Sequence, residues 1–200
     1  ILSGNTMWWQ VRYEDDGKHL ICYMNAEKDP IDNEALKTIN WHHSSLNYPI
    51  IESIGCDFSN GGYGLKQDNG WDGYKIILPE SPIFKNLNIQ LNHIISIPTS
   101  EYDSAPIMNV TTDGVPIIDT EMLGFYRINL LGFDKAFKGT HHKYATFIVM
   151  QKFYDSGVII NTSSTDWCNK GFWNKDNSII KGATLNMISL LKNNSEIFIE

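Results

Sequence analysis

The chain of 200 residues is long enough for one substantial domain with a hydrophobic core. Its 42% hydrophobic and 20% charged residues are typical of a soluble globular protein, and no apolar run is long enough to cross a membrane. The net charge of −7, with acidic and basic residues interspersed, argues against a nucleic-acid-binding surface. The separated cysteines Cys22, Cys56 and Cys168 predict free thiols in the cytoplasm, with one disulfide and one thiol as the alternative.

The N-terminal part of the chain predicts strands and one short helix. Residues 1–5 are typical of the end of a buried strand followed by a turn, so we expect further residues upstream. A β-hairpin is predicted from residues 7–13 and 19–24, which flank an Asp-Asp-Gly-Lys turn. Residues 32–41 predict a helix capped by Asp32.

The middle of the chain has weaker patterns. Four glycines within residues 55–64 predict a loop with unusual backbone angles. Residues 75–78 and 94–97 predict short strands, and residues 120–131 fit a helix and a strand equally well. We therefore predict a single domain, or the second half of a larger one, with a long loop- and β-rich insertion between about residues 25 and 140.

The C-terminal part carries the clearest pattern. Residues 144–150 are β-branched and aromatic, and predict a strand that forms a hairpin with residues 157–160. The second run is short, apolar and bounded by glycine and polar residues, as in a strand buried on both faces. Apolar residues at helical spacing then predict a helix over residues 178–192. The loop between this strand and the helix is either an ordinary solvated connection or a ligand site at the carboxyl end of the strand.

The best candidates for chemistry are acidic side chains that follow predicted strands. Glu101 and Asp103 stand two residues apart, so in an extended chain they point to the same side. Such a pair can hold a metal ion, or act as a general base and the group that orients it, and the alternative is a solvated turn. Asp166, beside Trp167, can bind a polar ligand or cap a turn.

Other reactive or aromatic residues give weaker predictions. Cys168 has no neighbouring base in the sequence, so we predict an inert thiol. The histidines form no HxH or HExxH pattern of a metal site. The six tryptophans predict either an aromatic surface for a small ligand or a sugar, with Trp71 and Trp173 as candidates, or the packing of a loop-rich domain.

Five short motifs, in the same order along the chain, resemble those of the large (β) subunit of N,N-dimethylformamidase and its relatives. The first is Leu-Ser-Gly-Asn-Thr-Met-Trp-Trp-Gln-Val-Arg at residues 2–12, which Asp29 and Pro30 follow as the second. The third is the glycine-rich stretch of residues 55–64, and the fourth is the Glu-x-Asp segment at residues 101–103. The closing motif consists of Thr165, Asp166 and Trp167 with Thr184, Asn186 and Leu190.

The resemblance implies a fold, partners and a metal. It implies the second half of a glutamine-amidotransferase-like (flavodoxin-like) α/β domain with a parallel sheet, in a larger polypeptide or in an assembly with other subunits. In the iron-dependent branch of the family, two tyrosines and a glutamate hold a ferric ion that activates water against a small amide. Glu101 matches the glutamate. Trp8 stands where that branch has one of the tyrosines, and an indole cannot replace a phenolate ligand.

Two functional hypotheses follow. In the first, the chain is an amidase-like hydrolase of a small amide, in which Glu101 is the base or an iron ligand and Asp103 orients it. Its substrate-binding residues are Asn5, Trp8, Asp166 and Trp167. In the second, the chain is a non-catalytic binding or structural module of a larger assembly, which recognises carbohydrate through exposed aromatic side chains. An exposed patch containing Trp71 and Trp173 would favour this second hypothesis.

Overall fold

The computed structural model describes residues 1–46, 48–64 and 73–199. The strands in these ranges are β1 (Arg12–Glu14), β2 (His19–Ile21), β3 (Asp57–Tyr63), β4 (Gly73–Ile76), β5 (Ile94–Ser96), β6 (Glu101–Ser104), β7 (Ile107–Val110), β8 (Pro116–Ile118), β9 (Arg127–Lys138), β10 (His141–Gln151) and β11 (Val158–Asn161). The α-helices are α1 (Ile51–Ile54), α2 (Thr120–Leu123) and α3 (Ser178–Lys192).

The main sheet is built around the long hairpin of β9 and β10. Their pairing runs from Arg127 opposite Gln151 to Lys138 opposite His141. Gly139 lies in the connecting turn with a positive φ of 63°, which glycine adopts without a steric penalty. The strand order is β11-β10-β9-β3-β6, and β4 pairs with both β9 and β5. The hairpin therefore lies at the centre of the sheet.

Several local predictions are confirmed. β10 and β11 form the hairpin predicted for residues 144–160, and α3 spans the residues 178–192 predicted as a helix. β1 and β2 form the predicted N-terminal hairpin with shorter strands. Residues 120–131, which fit a helix and a strand equally well, contain α2 and then the start of β9.

The helix predicted over residues 32–41 is wrong. Only a 3₁₀ turn forms, over Glu34–Leu36, and its cap is Asn33 rather than Asp32. The Asn33 side chain accepts a hydrogen bond from the Ala35 backbone, and the chain is extended again at the next residue after the turn. A single turn is marginal because helix nucleation is costly, so tertiary contacts decide the conformation here.

The loop predicted over residues 55–64 is wrong for most of its length, since β3 runs through Asp57–Tyr63, although Gly55 has the predicted unusual backbone angle, with a φ of 75°. Gly61 and Gly62 serve close packing between strands instead of unusual backbone angles. A Cβ atom on Gly61 would lie 2.0 Å from the Tyr102 carbonyl oxygen, and one on Gly62 would lie 2.4 Å from that of Phe137. Glycine therefore lets β3 approach β6 and β9 more closely than a side chain would allow.

The flavodoxin-like parallel sheet implied by the resemblance does not form among the described strands. Each of their pairings is antiparallel. The physical reason lies in the connections, because short turns join β9, β10 and β11 and reverse the chain direction each time. Within residues 73–199, no strand follows α3 to complete a crossover. The fold combines α and β structure, with mostly antiparallel sheets and few helices.

The N-terminal residue makes one contact of the parallel type. The Ile1 amino group donates to Ile160 O over 2.7 Å, and Ile1 O accepts a hydrogen bond from Thr162 N over 3.0 Å. A residue that bonds in this way to both neighbours of Asn161 has the hydrogen-bond pattern of a parallel pair. The N-terminal segment, residues 1–6, therefore starts beside β11.

The sheet closes on itself through the exit loop, residues 162–166, which follows β11. Asp103 N donates to Ser163 O over 2.8 Å, and Thr165 N donates to Glu101 O over 3.1 Å. β6 and β11 stand at opposite ends of the strand order, so these bonds close the strands into a ring. The N-terminal segment, β6 and the exit loop are consequently neighbours.

β10 is buried on both faces because successive side chains of a strand point in opposite directions. Phe147 and Val149 belong to the larger apolar cluster, which includes Trp167 and the buried side of α3. Ile148 and Met150 belong to a smaller cluster with α1 and α2. The hydrophobic core therefore extends on both sides of this strand.

Other sequence-level expectations concern the whole chain. The division into one domain or half a domain, with an insertion at about residues 25–140, stays a prediction. In the described ranges, no helix has the length and apolar character needed to cross a membrane. Cys22, Cys56 and Cys168 are all free thiols, so the disulfide alternative does not occur here.

Candidate functional site

The buried carboxylate of Asp103 binds the backbone of the N-terminal segment. Asn5 N donates to its Oδ1 over 2.8 Å, and Thr6 N donates to its Oδ2 over 3.3 Å. Asp103 is fully buried, so these N–H groups replace the water that an ionised carboxylate would otherwise require. Asp103 therefore holds residues 5 and 6 against β6.

Burial disfavours the charged form of Asp103 and raises its pKa to about 7. The two backbone N–H groups from Asn5 and Thr6 oppose this rise, whereas the charges of Asp57 and Glu101 add to it. Asp103 is thus a carboxyl group whose ionisation falls near neutral pH. Its charge state, and with it the hold on the N-terminal segment, depends on pH.

The N-terminal segment approaches the exit loop closely and in an unusual backbone conformation. Asn5 and Ser163 each have a φ of 53°, in the left-handed region. A Cβ atom on Gly4 would lie 2.8 Å from Ser163 O, so only glycine fits at this position without a shift. Left-handed residues other than glycine cost on the order of 1 kcal/mol or more and tend to occur at functional sites. The surrounding contacts must stabilise this arrangement.

Glu101 is half-buried, and its carboxylate lies next to Asn5. Asn5 Nδ2 donates to Glu101 Oε2 over 3.0 Å. Thr165 fixes the Glu101 backbone: its Oγ1 donates to Glu101 O over 3.1 Å and accepts from Glu101 N over 3.2 Å. Within the described residues, Asn5 is the single hydrogen-bond partner of the Glu101 carboxylate, and it binds Oε2, so Oε1 has no partner among them.

Asp166 contacts the residue that precedes Glu101. Its Oδ2 accepts a hydrogen bond from Ser100 N over 2.7 Å, and its Oδ1 lies 3.1 Å from Lys170 Nζ. Burial opposes the ionisation of Asp166, but hydrogen bonds from the Ser100 backbone and from Lys170 outweigh it, so the pKa is lowered. Asp166 therefore stays ionised and fixes the start of β6.

Trp8 belongs to an aromatic cluster on the same N-terminal stretch as Asn5. It is half-buried, and its ring centroid lies 4.7 Å from that of His42 and 5.5 Å from that of Phe58. Burial lowers the pKa of His42, and the nearby Lys138 adds to this effect. The indole ring of Trp8 therefore packs among aromatic rings, three positions along the chain from Asn5.

The remaining candidates have different surroundings. Trp167 is fully buried, and its Nε1 donates to Thr184 Oγ1 over 3.0 Å, which makes it a residue of the core. Trp173 is 76% exposed, and Trp71 lies outside the described residues. Cys168 is an exposed free thiol. The patch proposed for carbohydrate binding therefore stays a prediction.

Among the predicted site residues, the structure brings Asn5, Glu101 and Asp103 into direct contact. Trp8 lies two residues after the N-terminal segment, and Asp166 binds the backbone of Ser100, the residue before Glu101. Both acidic residues lie on a strand and face the same partner. We refer to Asn5, Glu101 and Asp103 as the carboxylate site.

Three supporting residues, Thr6, Thr165 and Lys170, were not predicted from the sequence. Thr6 contributes a backbone N–H, which no sequence pattern reveals. Lys170 stands four residues after Asp166, a spacing that favours an ion pair within a helical turn. Thr6 and Thr165 do lie within the family motifs of the sequence, but the motifs do not indicate these contacts.

The described residues do not fit a ferric centre by themselves. No cluster of three or more His, Cys, Asp or Glu side chains within residues 1–46, 48–64 and 73–199 is arranged to hold a metal ion. Glu101 can offer one carboxylate, but the indole of Trp8 has no lone pair for a metal. Both oxygens of Asp103 already accept backbone hydrogen bonds. A ferric ion would need further ligands.

Two grooves of about 430 and 480 Å³ lie elsewhere, between α3 and β11. The larger is lined by apolar residues such as Ile160 and Met187 and contains no titratable side chain. The smaller contains Arg127 and Glu196, which pair with each other over 3.4 Å. Neither groove is lined by a residue of the carboxylate site, so the chemistry and the larger cavities are separate.

Comparison with known families gives a match over most of the chain. A family model described as N,N-dimethylformamidase beta subunit-like, C-terminal, matches residues 1–171. The chain belongs to this family. The matched range includes the whole carboxylate site and Asp166, whereas α3 lies beyond its end. No curated protein and no solved structure matches the chain.

The raised pKa of Asp103 predicts a pH-dependent stability that Asp103→Asn should remove. Between the ordinary pKa of 3.8 and the folded value of about 7, the folded state holds a proton that the unfolded state has released. Rising pH in this window therefore favours unfolding of the wild-type protein. Urea unfolding at pH values from 4 to 7 should show that the wild type loses stability relative to Asp103→Asn. If the free energies of unfolding of the two proteins change equally with pH over this range, the raised pKa of Asp103 is contradicted.

Proposed function

We propose that the protein hydrolyses the C–N bond of a small amide, with Glu101 as the general base. Membership of the family supports an amidase-like hydrolase. The assignment to Glu101 rests on one observation: Asn5 orients its half-buried carboxylate through Oε2 and leaves Oε1 for a ligand. A carboxylate placed in this way can accept a proton from an attacking water molecule.

In the proposed reaction, water attacks the carbonyl carbon of the amide while Glu101 accepts a proton from that water. As the C–N bond breaks, the amine nitrogen takes the proton from Glu101, and the products are a carboxylic acid and an amine. Asn5 holds the base in place during both proton transfers. Asp103 is a positioning residue, because it acts on Glu101 through the backbone and side chain of Asn5.

Asp166 is a second positioning residue in this proposal. It binds the Ser100 backbone and Lys170, and so fixes the point at which the chain enters β6. Because Ser100 immediately precedes Glu101 in the chain, a shift of the Ser100 backbone would move the Glu101 carboxylate. A small misplacement of a catalytic group can lower the rate considerably.

A ferric ion stays a proposal that rests on the resemblance. The resemblance implies three protein ligands; of the two ligand positions matched in this chain, Glu101 can bind a metal and Trp8 cannot. The family is described as subunit-like, so we propose that other subunits or chain segments complete the site. They would also supply further ligands to a ferric ion.

Glu101→Gln should lower kcat/KM by about 100-fold or more, because an amide cannot act as a general base. The measurement is amine release from a panel of small amides that includes N,N-dimethylformamide. Glu121→Gln, an exposed position on α2, is the matched control and should retain wild-type activity. Wild-type activity in the Glu101→Gln protein would refute the assignment of the base.

Metal analysis tests the iron proposal separately. The purified chain should contain iron well below one atom per chain, because Trp8 stands where the resemblance implies a tyrosine ligand and no cluster of three His, Cys, Asp or Glu side chains in the described ranges replaces it. Glu101→Ala and the control Glu121→Ala should then have equal iron contents. Stoichiometric iron that is lost in Glu101→Ala alone would show that this chain does form a ferric site.

A further inference from the structure

Tyr63, the last residue of β3, stands directly opposite Glu101 of β6. Direct partners in an antiparallel pair carry their side chains on the same face, with Cβ atoms about 4.5–5.5 Å apart. The Tyr63 ring therefore starts beside the Glu101 side chain. Glu101 thus has Asn5 as its hydrogen-bond partner and a phenol as its neighbour across the strands.

The Tyr63 ring is held in position by its neighbours. Phe58 packs edge-on against it, with ring centroids 5.3 Å apart. The Tyr63 backbone is paired on both sides, with Glu101 of β6 and with Phe137 of β9, and the absence of a side chain on Gly62 lets β9 come close. A ring that packs against Phe58 on a backbone fixed in this way presents its hydroxyl in a restricted set of directions, as a catalytic donor requires.

The Tyr63 hydroxyl is available to a ligand. The residue is 38% exposed, and no described residue forms a hydrogen bond with this hydroxyl. Tyr74 and Tyr102 of the same sheet are fully buried, and their hydroxyls donate to Thr162 O and to the Asp134 carboxylate. A buried tyrosine is expected to have a hydrogen-bond partner for its hydroxyl, as these two do. The Tyr63 hydroxyl differs, because it has no such partner among the described residues.

Amide hydrolysis needs a hydrogen-bond donor at the carbonyl oxygen of the amide, which the carboxylate of Glu101 cannot provide. When the water oxygen bonds to the carbonyl carbon, the π electrons of the C=O bond move onto the carbonyl oxygen, which becomes negative. A donor fixed at that point stabilises the charge more in the transition state than in the bound amide. One of the two N–H bonds of Asn5 Nδ2 already points at Glu101 Oε2, which ties this amide to the base.

We infer that Tyr63 is a further catalytic residue, whose hydroxyl donates a hydrogen bond to the carbonyl oxygen of the amide as its negative charge develops. This inference rests on the proposed amidase function. When the C–N bond breaks, the electrons return to the C=O bond and the amine takes its proton from Glu101. Tyr63 therefore keeps its own proton throughout, and the overall reaction consumes one amide and one water.

The test is a kinetic comparison of the wild type with Tyr63→Phe, which keeps the ring and removes the donor. Loss of one such donor typically lowers kcat by about 100-fold or more. We expect that loss in kcat with KM within about threefold of wild type, because the donor acts mainly in the transition state. A phosphonate analogue of the tetrahedral intermediate should bind Tyr63→Phe more weakly by a similar factor. Tyr13→Phe, at a 68% exposed residue on β1, is the matched control and should match the wild type.

The outcomes separate this inference from the proposed function. If Glu101→Gln is inactive and Tyr63→Phe has wild-type kcat, the role of Tyr63 is wrong and the proposed base stands. If Glu101→Gln is as active as the wild type, or the wild type hydrolyses no amide of the panel, both the proposed function and the role of Tyr63 are wrong. A raised KM of Tyr63→Phe with unchanged kcat would also overturn the role of Tyr63. Urea unfolding of Tyr63→Phe checks that its fold is intact.

Discussion

Asp103 joins the N-terminal segment to the sheet, and the geometry around Glu101 depends on this contact. A fully buried carboxylate is unfavourable unless donors replace its water, and the backbone N–H groups of Asn5 and Thr6 do so. In return, the carboxylate keeps Asn5 in a left-handed conformation that a free chain would rarely adopt. This conformation aims the Asn5 amide at Glu101. Orientation of the proposed base therefore begins with a backbone contact.

The site is assembled from segments that are far apart along the chain. Asn5 and Asp103 are separated by 98 positions, and Glu101 and Thr165 by 64. Closure of the sheet brings these segments together, because the exit loop bonds to β6 directly after leaving β11. Strand register then adds Tyr63 opposite Glu101. Small changes in register or closure would separate these groups, so fold and site are coupled.

Local patterns in the sequence predicted local structure well. The helix at residues 178–192 and the hairpin of β10 and β11 follow from apolar spacing, which reflects burial on one or both faces. The parallel sheet was implied by the family resemblance and does not form among the described strands, because short turns between β9, β10 and β11 reverse the chain direction. Asn5, Glu101 and Asp103 were named from acidic spacing and family motifs, whereas Thr6 donates through its backbone. Contacts of that kind depend on tertiary structure and leave no pattern in one sequence.

Hydrogen exchange at the Asn5 backbone amide is the most direct test of whether Asp103 holds the N-terminal segment on the sheet. In the wild type, this amide donates to a buried carboxylate and should exchange much more slowly than in an unstructured peptide. In Asp103→Ala it should lose this protection, while amides of the β9–β10 hairpin keep theirs. The account is contradicted if the Asn5 amide exchanges at the peptide rate in the wild type, or if its protection survives in Asp103→Ala.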